Sequence, residues 1–320
     1  MNSKRFTEIV EKFERTQDEK GESLAMYDLL IQTQNGRYAH NFLSEAKASD
    51  VRSISKTILT LAFGRIMFLA DAGKYPAINE ESKIYPIIKD AVHLENSANL
   101  DKLKRVKIKH LLTHTIGYDD ILLMRGDIVS MDPFELLDYV VNYPIIHEPG
   151  DHYLYSNAGF YLLSVVLEEF IREDLTSFLT RELFNPLGIE QFQWDKYGKY
   201  LAGATRLWLL PEDLMKVADL FLDDGEVNGE ELLSKDWFDE MLTPRYYTKD
   251  LDHSNYVFRR YAYGYGTWLA KEPFYFGHGT DGQRLIMLPE AETVILTLAE
   301  QVDTEPIDKL LNELIEEIRQ

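Results

Sequence analysis

Apolar residues at Phe6, Ile9, Val10 and Phe13 recur at helical spacing, so the chain opens with an amphipathic helix. Residues 24–31 then read as a strand. Asn35-Gly36 is a tight hairpin dipeptide, and residues 38–42 return as a second strand. A dense apolar run follows from Ile54, is interrupted by Arg65 and ends by Asp71. That is too short and too broken to span a bilayer. From about residue 56 to residue 250 the pattern is mostly helical. Helices are expected up to about His114, over 133–143, over 158–171, over 175–183, from Pro211 through Leu222, and over 233–242. The character changes after that. Residues 263–270, 283–288 and 293–298 read as three strands. Ile307, Leu310, Leu311, Leu314, Ile315 and Ile318 then trace an amphipathic last helix, with Pro306 suited to its first turn.

Two strands at the start and three at the end can complete one antiparallel sheet. The expected fold is therefore α+β: a five-stranded antiparallel sheet flanked by the terminal helices, with an all-helical lobe inserted between the strands. The expected borders are 1–48 and 251–320 for the sheet lobe and 49–250 for the helical lobe, within one domain. A chain of 320 residues is long enough to bury a sizeable core on this plan.

Charge narrows the partners. Asp plus Glu number 54 against 34 Lys plus Arg, a net charge of −20. Such a field repels nucleic acid and anionic membrane. The one basic cluster, Lys102, Lys104, Arg105, Lys107 and Lys109, reads as a solvated face. Cysteine is absent, which excludes disulfides, thiol catalysis and cysteine-bound metal. No apolar signal core follows Met1-Asn2-Ser3-Lys4-Arg5, so a cytoplasmic location and a small-molecule partner are expected.

Candidate chemistry begins at Ser53-Ile54-Ser55-Lys56. A hydroxyl and an amine three residues apart share one helix face. A helix start also presents free N–H groups where negative charge can develop. Hydroxyl, base and electropositive backbone are what an acyl-transfer nucleophile needs. Taken alone, S-x-x-K also fits a solvated helix face. Tyr155-Ser156-Asn157 lies between a Pro-Gly turn and a helix. A phenol there can pass a proton if a nearby ammonium lowers its pKa, and the amide can hold a ligand carbonyl. With 19 tyrosines in the chain, any single Tyr is more simply a packing residue. Phe276-Gly277-His278-Gly279-Thr280-Asp281-Gly282 precedes a strand, and its glycines would let a ligand approach backbone N–H groups.

Those three segments, in that order, resemble the serine β-lactamase and penicillin-binding protein superfamily. The Y-x-N form resembles its branch of class C β-lactamases, D-amino-acid peptidases and related esterases. Lys109-His110-Leu111-Leu112-Thr113-His114-Thr115, Glu148-Pro149-Gly150 and Ala202-Gly203-Ala204 also fit the layout of that branch. The resemblance implies Ser53 as acylated nucleophile, Lys56 as base or proton relay, and Tyr155 as proton shuttle. It implies Asn157, His278, Gly279, Thr280 and Asp281 as substrate-binding residues, with no metal and no cofactor. The Ser53 N–H and a backbone N–H around Thr280 or Asp281 would form the oxyanion hole. His278-Gly279-Thr280 departs from the K-T-G and H-x-G forms, because no glycine stands third. An imidazole in place of an ammonium would grip a carboxylate less firmly. A serine hydrolase acting on a small ester, amide or D-amino-acid peptide, esterase-like by preference, is therefore expected ahead of a β-lactamase or a D-alanyl-D-alanine carboxypeptidase. A non-catalytic binding protein is the alternative. His110 and His114, at i and i+4, form a rival zinc pair.

Overall fold

The computed structural model describes residues 1–45, 47–248 and 255–319. The core is one antiparallel sheet built from both ends of the chain. Its strands are β1 (Met26–Thr33), β2 (Gly36–Asn41), β3 (Tyr246–Tyr247), β4 (Ala262–Tyr263), β5 (Trp268–Leu269), β6 (Tyr275–His278), β7 (Arg284–Leu288) and β8 (Thr293–Ala299). Their order is β3-β4-β5-β6-β7-β8-β1-β2, so the N-terminal hairpin docks on the last strand. The register pairs Leu30 with Leu296 and Ile31 with Ile295.

The sheet has eight strands where five were expected. Residues 263–270 form two strands instead of one. Gly264 and Gly266 fold the chain back between them, and the Gly264 N–H donates to the Thr267 carbonyl at 3.0 Å. A Cβ at Gly264 would run into the Met241 carbonyl, and one at Gly266 into the Thr60 hydroxyl. The turn therefore has to be glycine to dock on the helices. Tyr275–His278, expected as a loop, is a full strand. Its Gly277 lets Ile54 pack directly on the backbone. The edge pair Tyr246–Tyr247 gives no periodicity to read, and it extends the sheet to residues before 251. The expected lobe border at 250/251 lies outside the described residues.

Strand alternation sorts the core into two layers. In β7 and β8, Leu285, Met287, Val294, Leu296 and Leu298 face the large lobe. Ile286, Leu288, Ile295 and Ala299 face the terminal helices. Both faces are covered, so both strands read as unbroken apolar runs. The helices Ser3–Arg15 and Glu305–Ile318 supply the outer layer through Phe6, Ile9, Val10, Phe13, Ile307, Leu311 and Ile315. On the other face lies the helix Ile54–Asp71, buried along nearly its whole length. A helix apolar all round is a core helix. Beside it packs Ala158–Ile171, which also lies so close to the helix Ile108–Leu112 that a Cβ at Gly159 would press on the Leu111 carbonyl at 2.9 Å. The expected helix over 175–183 is Leu175–Leu179 followed by a wider turn, Thr180–Phe184. Among the described residues, no helix is long and apolar enough to cross a membrane.

One buried ion pair ties the outer helix to the sheet. Arg284, fully buried in β7, forks onto Asp308 with Nε–Oδ1 at 2.8 Å and Nη2–Oδ2 at 2.9 Å. Its Nη1 donates to the Gly279 carbonyl at 2.6 Å. Removing one partner would strand a buried charge. Asp308→Ala is expected to cost about 3 kcal/mol and lower the melting temperature by roughly 5 °C. A melting temperature within about 1 °C of the parent would show that the pair carries little.

Candidate active site

The turn that delivers Ser53 is held by charge. The short strand Ser49–Asp50 pairs with Leu207–Leu209, and the Val51 N–H donates to the Leu207 carbonyl at 2.8 Å. Arg52 then sits in the left-handed region, at φ 52°. A non-glycine residue there is strained unless its surroundings hold it. Asp50 Oδ1 accepts the Arg52 N–H at 2.8 Å, closing an Asx turn. The Arg52 guanidinium bonds Asp50 at 2.6 Å and Asp281 at 2.8 Å. Ser53 caps the helix Ile54–Asp71. Among the described residues its own N–H has no acceptor, as the first turn of a helix allows.

Lys56 is one turn on and wholly buried. Its Nζ lies 3.0 Å from Ser53 Oγ, 2.9 Å from Asn157 Oδ1 and 3.1 Å from the Ala204 carbonyl. No carboxylate is among these partners. Burial pushes the amine down from its ordinary value to about 7. Two of the three partners can only accept. A neutral amine can donate to both and still turn its lone pair toward the Ser53 hydroxyl. In that neutral form Ser53 can donate to Lys56, whereas the protonated amine donates to Ser53 Oγ.

Tyr155 completes the group. Its phenol lies near enough to Ser53 for that hydroxyl to favour the ionised form. Its ring stacks on Trp268 at 5.5 Å and lies 4.9 Å from Lys56 Nζ. The sequence made proton transfer by this phenol conditional on an ammonium lowering its pKa, and no such lowering by Lys56 occurs. Burial raises the phenol to about 12, and the Ser53 hydroxyl and the charge of Arg260 oppose that only in part. At neutral pH Tyr155 therefore carries its proton and Lys56 is the weaker holder. Asn157 stands at the N-cap of Ala158–Ile171, yet its side chain does not cap that helix. Its Oδ1 takes the Lys56 bond and its Nδ2 donates to the Leu123 carbonyl at 2.8 Å. Asn157 thus acts on Lys56 directly, a link the sequence did not suggest.

The third segment reaches the site through its loop, not its histidine. Thr280 and Asp281 line a cleft of about 310 Å³ together with Ser53, Asn157, Arg52, Leu123, Arg125 and Arg206. His278 and Gly279 are not on that lining. Burial, with the charges of Arg284 and Arg260, holds the His278 imidazole well below its ordinary value, so it is neutral. The Gly279 N–H donates to the Gln283 carbonyl at 2.8 Å and the Asp281 N–H to Gln283 Oε1 at 3.1 Å. Among the described residues, the Thr280 N–H has no acceptor. The sequence reading left open Thr280 or Asp281, and of those two N–H groups only that of Asp281 is used internally.

Four contributors were missed from the sequence: Arg52, Arg125, Arg206 and the Ala204 carbonyl. Arg125 bonds Asp281 at 2.7 Å on the exposed side of the cleft. Three guanidinium groups and two carboxylates, Asp50 and Asp281, line the cleft of a strongly acidic protein. The Asp-x-Arg spacing of Asp50 and Arg52 was the available signal for the Asx turn. The rival zinc pair is not formed. The helix Ile108–Leu112 ends before His114, which has φ 58°, and the two imidazoles are bonded apart. His110 Nδ1 accepts from Lys107 at 3.1 Å and His114 Nδ1 from Ser156 at 3.4 Å.

Comparison with known proteins gives one family and one fold. The family model described as Beta-lactamase matches residues 43–320. Penicillin-binding protein 4* of Bacillus subtilis (strain 168) is 26% identical over 149 residues, which is 39% of this chain and 33% of that protein. The chain spans about a third of the length of the curated relatives it matches. Among solved structures, EstCE1, a hydrolase with promiscuous acyltransferase activity, superposes at TM-score 0.75 with 15% identity, covering 99% of each chain. D-amino acid amidase from Ochrobactrum anthropi SV3 superposes at TM-score 0.69 with 15% identity, covering 98% of this chain and all of that one. At such identities the likeness is one of fold.

Lys56 has to be neutral before it can take a proton from Ser53. Labelling of Ser53 by a fluorophosphonate probe is therefore expected to rise with pH through about 7 and level off above it. Labelling that is flat from about pH 5 to about pH 9 would remove Lys56 as the base.

Proposed function

Because the chain belongs to the beta-lactamase family, whose model spans residues 43–320, we propose that it is a serine hydrolase working through a Ser53 acyl-enzyme. Its substrate is a small ester, amide or D-amino-acid peptide, with esters preferred. The observation that carries this reading is the buried, carboxylate-free Lys56 amine 3.0 Å from Ser53 Oγ. In the proposed cycle Lys56 takes the Ser53 proton while Oγ attacks the substrate carbonyl. The Ser53 and Thr280 N–H groups receive the oxyanion. Tyr155 gives its proton to the leaving group and recovers one from Lys56. Water, relieved of a proton through the same pair, then cleaves the acyl-enzyme. Asn157 and the Ala204 carbonyl keep the amine aimed at the serine.

A second reading rests on Arg125 and Arg206 in the cleft lining. Two guanidinium groups beside the nucleophile would suit a substrate with a carboxylate, as in D-alanyl-D-alanine carboxypeptidase or β-lactamase chemistry. A non-catalytic binding role is disfavoured. A binding cleft gains nothing from an amine kept out of water beside a hydroxyl, which costs stability. A soluble metabolite in the cytoplasm goes with the esterase reading, and so does the absence of cysteine.

Intact-mass measurement after fluorophosphonate treatment is expected to show one adduct, and Ser53→Ala to show none. Ser53→Ala should lower p-nitrophenyl ester turnover by at least about a thousandfold. If no adduct forms at any pH, the hydrolase reading fails. If a chromogenic cephalosporin is turned over faster than the ester, the ester preference gives way to the second reading.

A further inference from the structure

Away from the cleft, Asp119, His147 and His152 place one oxygen and two nitrogen donors within 4.8 Å of one another. His147 Nε2 lies 3.0 Å from Asp119 Oδ1. The His147 and His152 rings stack with centroids 4.2 Å apart. We propose that these three side chains form a zinc(II) site, which departs from the metal-free expectation drawn from the sequence.

The backbone beneath them is clamped, so the donors do not sit on free loop tips. The Ile146 and His147 N–H groups both donate to the Gly117 carbonyl at 2.9 Å. Tyr118 and Ile145 form a bridge between the same two segments. Gly117 and His147 touch through their backbones, with Gly117 at φ 109° and no room there for a Cβ. The third segment is tied in by the Gly150 N–H to the Thr115 carbonyl at 2.8 Å and by the Leu154 N–H to the His114 carbonyl at 2.9 Å. All three ligand positions therefore share one frame.

The donor set selects the ion. Calcium and magnesium take oxygen ligands, whereas two imidazoles and a carboxylate suit zinc. Metal–ligand distances of about 2.0–2.1 Å put tetrahedral donors about 3.4 Å apart. The His147–Asp119 pair is already that close. Side-chain rotation, with the imidazoles unstacking, brings in the third donor. Three protein ligands leave the fourth position to water. The net charge of −20 draws divalent cations toward the surface. Residues 152–155 run from the proposed ligand to the catalytic phenol, so bound zinc would fix the start of the segment that carries Tyr155.

The full chain, stripped with EDTA and dialysed, would be titrated with ZnCl2 in the presence of excess Mg²⁺. One equivalent is expected to bind and raise the melting temperature. Co²⁺ in its place should give the visible d–d absorption of a tetrahedral site. His147→Ala and His152→Ala should each weaken zinc binding by about tenfold or more. His93→Ala, at a solvent-exposed histidine elsewhere, should leave it unchanged. Circular dichroism of each variant checks that it is folded. The proposal is overturned by absence of a one-to-one complex, or by either histidine variant of the pair binding zinc within tenfold of the parent.

Discussion

A primary amine taken out of water without a counter-charge is the constraint on which the rest of the site depends. Among the described residues Lys56 has no carboxylate partner, and burial accounts for its lowered pKa. Supplying a carboxylate would be the ordinary remedy, but it would hold the proton on and stop the amine serving as the proposed base. The protein instead uses neutral acceptors, the Asn157 amide and the Ala204 carbonyl. Aromatic faces close the remaining sides, with Tyr155 and Phe160 ring centroids at 4.9 and 5.9 Å. Such faces favour a cation weakly. The amine can thus hold a proton briefly without being locked to it.

That requirement explains why the site needs parts of the chain far apart in sequence. A helix supplies Ser53 and Lys56 together, but the acceptors come from 101 and 148 residues further along. No local turn can bring them in. Ala204 is positioned through Gly203, whose φ of 68° and lack of a Cβ let the chain pass against the Phe160 carbonyl. The nucleophile helix is fixed against the sheet where Ile54 sits on Gly277 and where the Thr57 hydroxyl donates to the Gly266 carbonyl at 2.7 Å. The glycine turn that broke the expected long strand therefore also helps seat the helix that carries Ser53 and Lys56.

Legibility in the sequence followed the range of the interaction. The three-residue spacing of Ser53 and Lys56 is a property of one helix turn, and the sequence exposes it. The dense apolar runs within 284–299 expose β7 and β8 because both of their faces are buried. Two-residue strands such as Tyr246–Tyr247 carry no period and were not visible. The acidity of Tyr155 could not be read either. Its direction is set by how deeply Trp268, Tyr263 and His114 bury the ring, which is a tertiary fact. Sequence order did expose the Gly-rich segment, yet His278, its most reactive-looking member, lies off the cleft lining while the plain backbone of Thr280 lies on it.

The loop that carries Thr280 is gripped from two sides by guanidinium groups. From behind, Arg284 holds the Gly279 carbonyl and is itself anchored on Asp308. From the cleft side, Arg52 and Arg125 both bond Asp281 Oδ2. Asp281 is accordingly held below the usual carboxylate range, although burial alone would raise it. Arg52 is the same residue whose strained backbone presents Ser53. One ion-pair chain, Asp50–Arg52–Asp281–Arg125, therefore sets the nucleophile turn and the opposite loop relative to each other. For the proposed oxyanion hole this matters more than the strength of either donor. Two N–H groups act on a developing charge only if their separation is fixed before it appears. A chain of side-chain charges bridging the cleft fixes it without asking the substrate to do so.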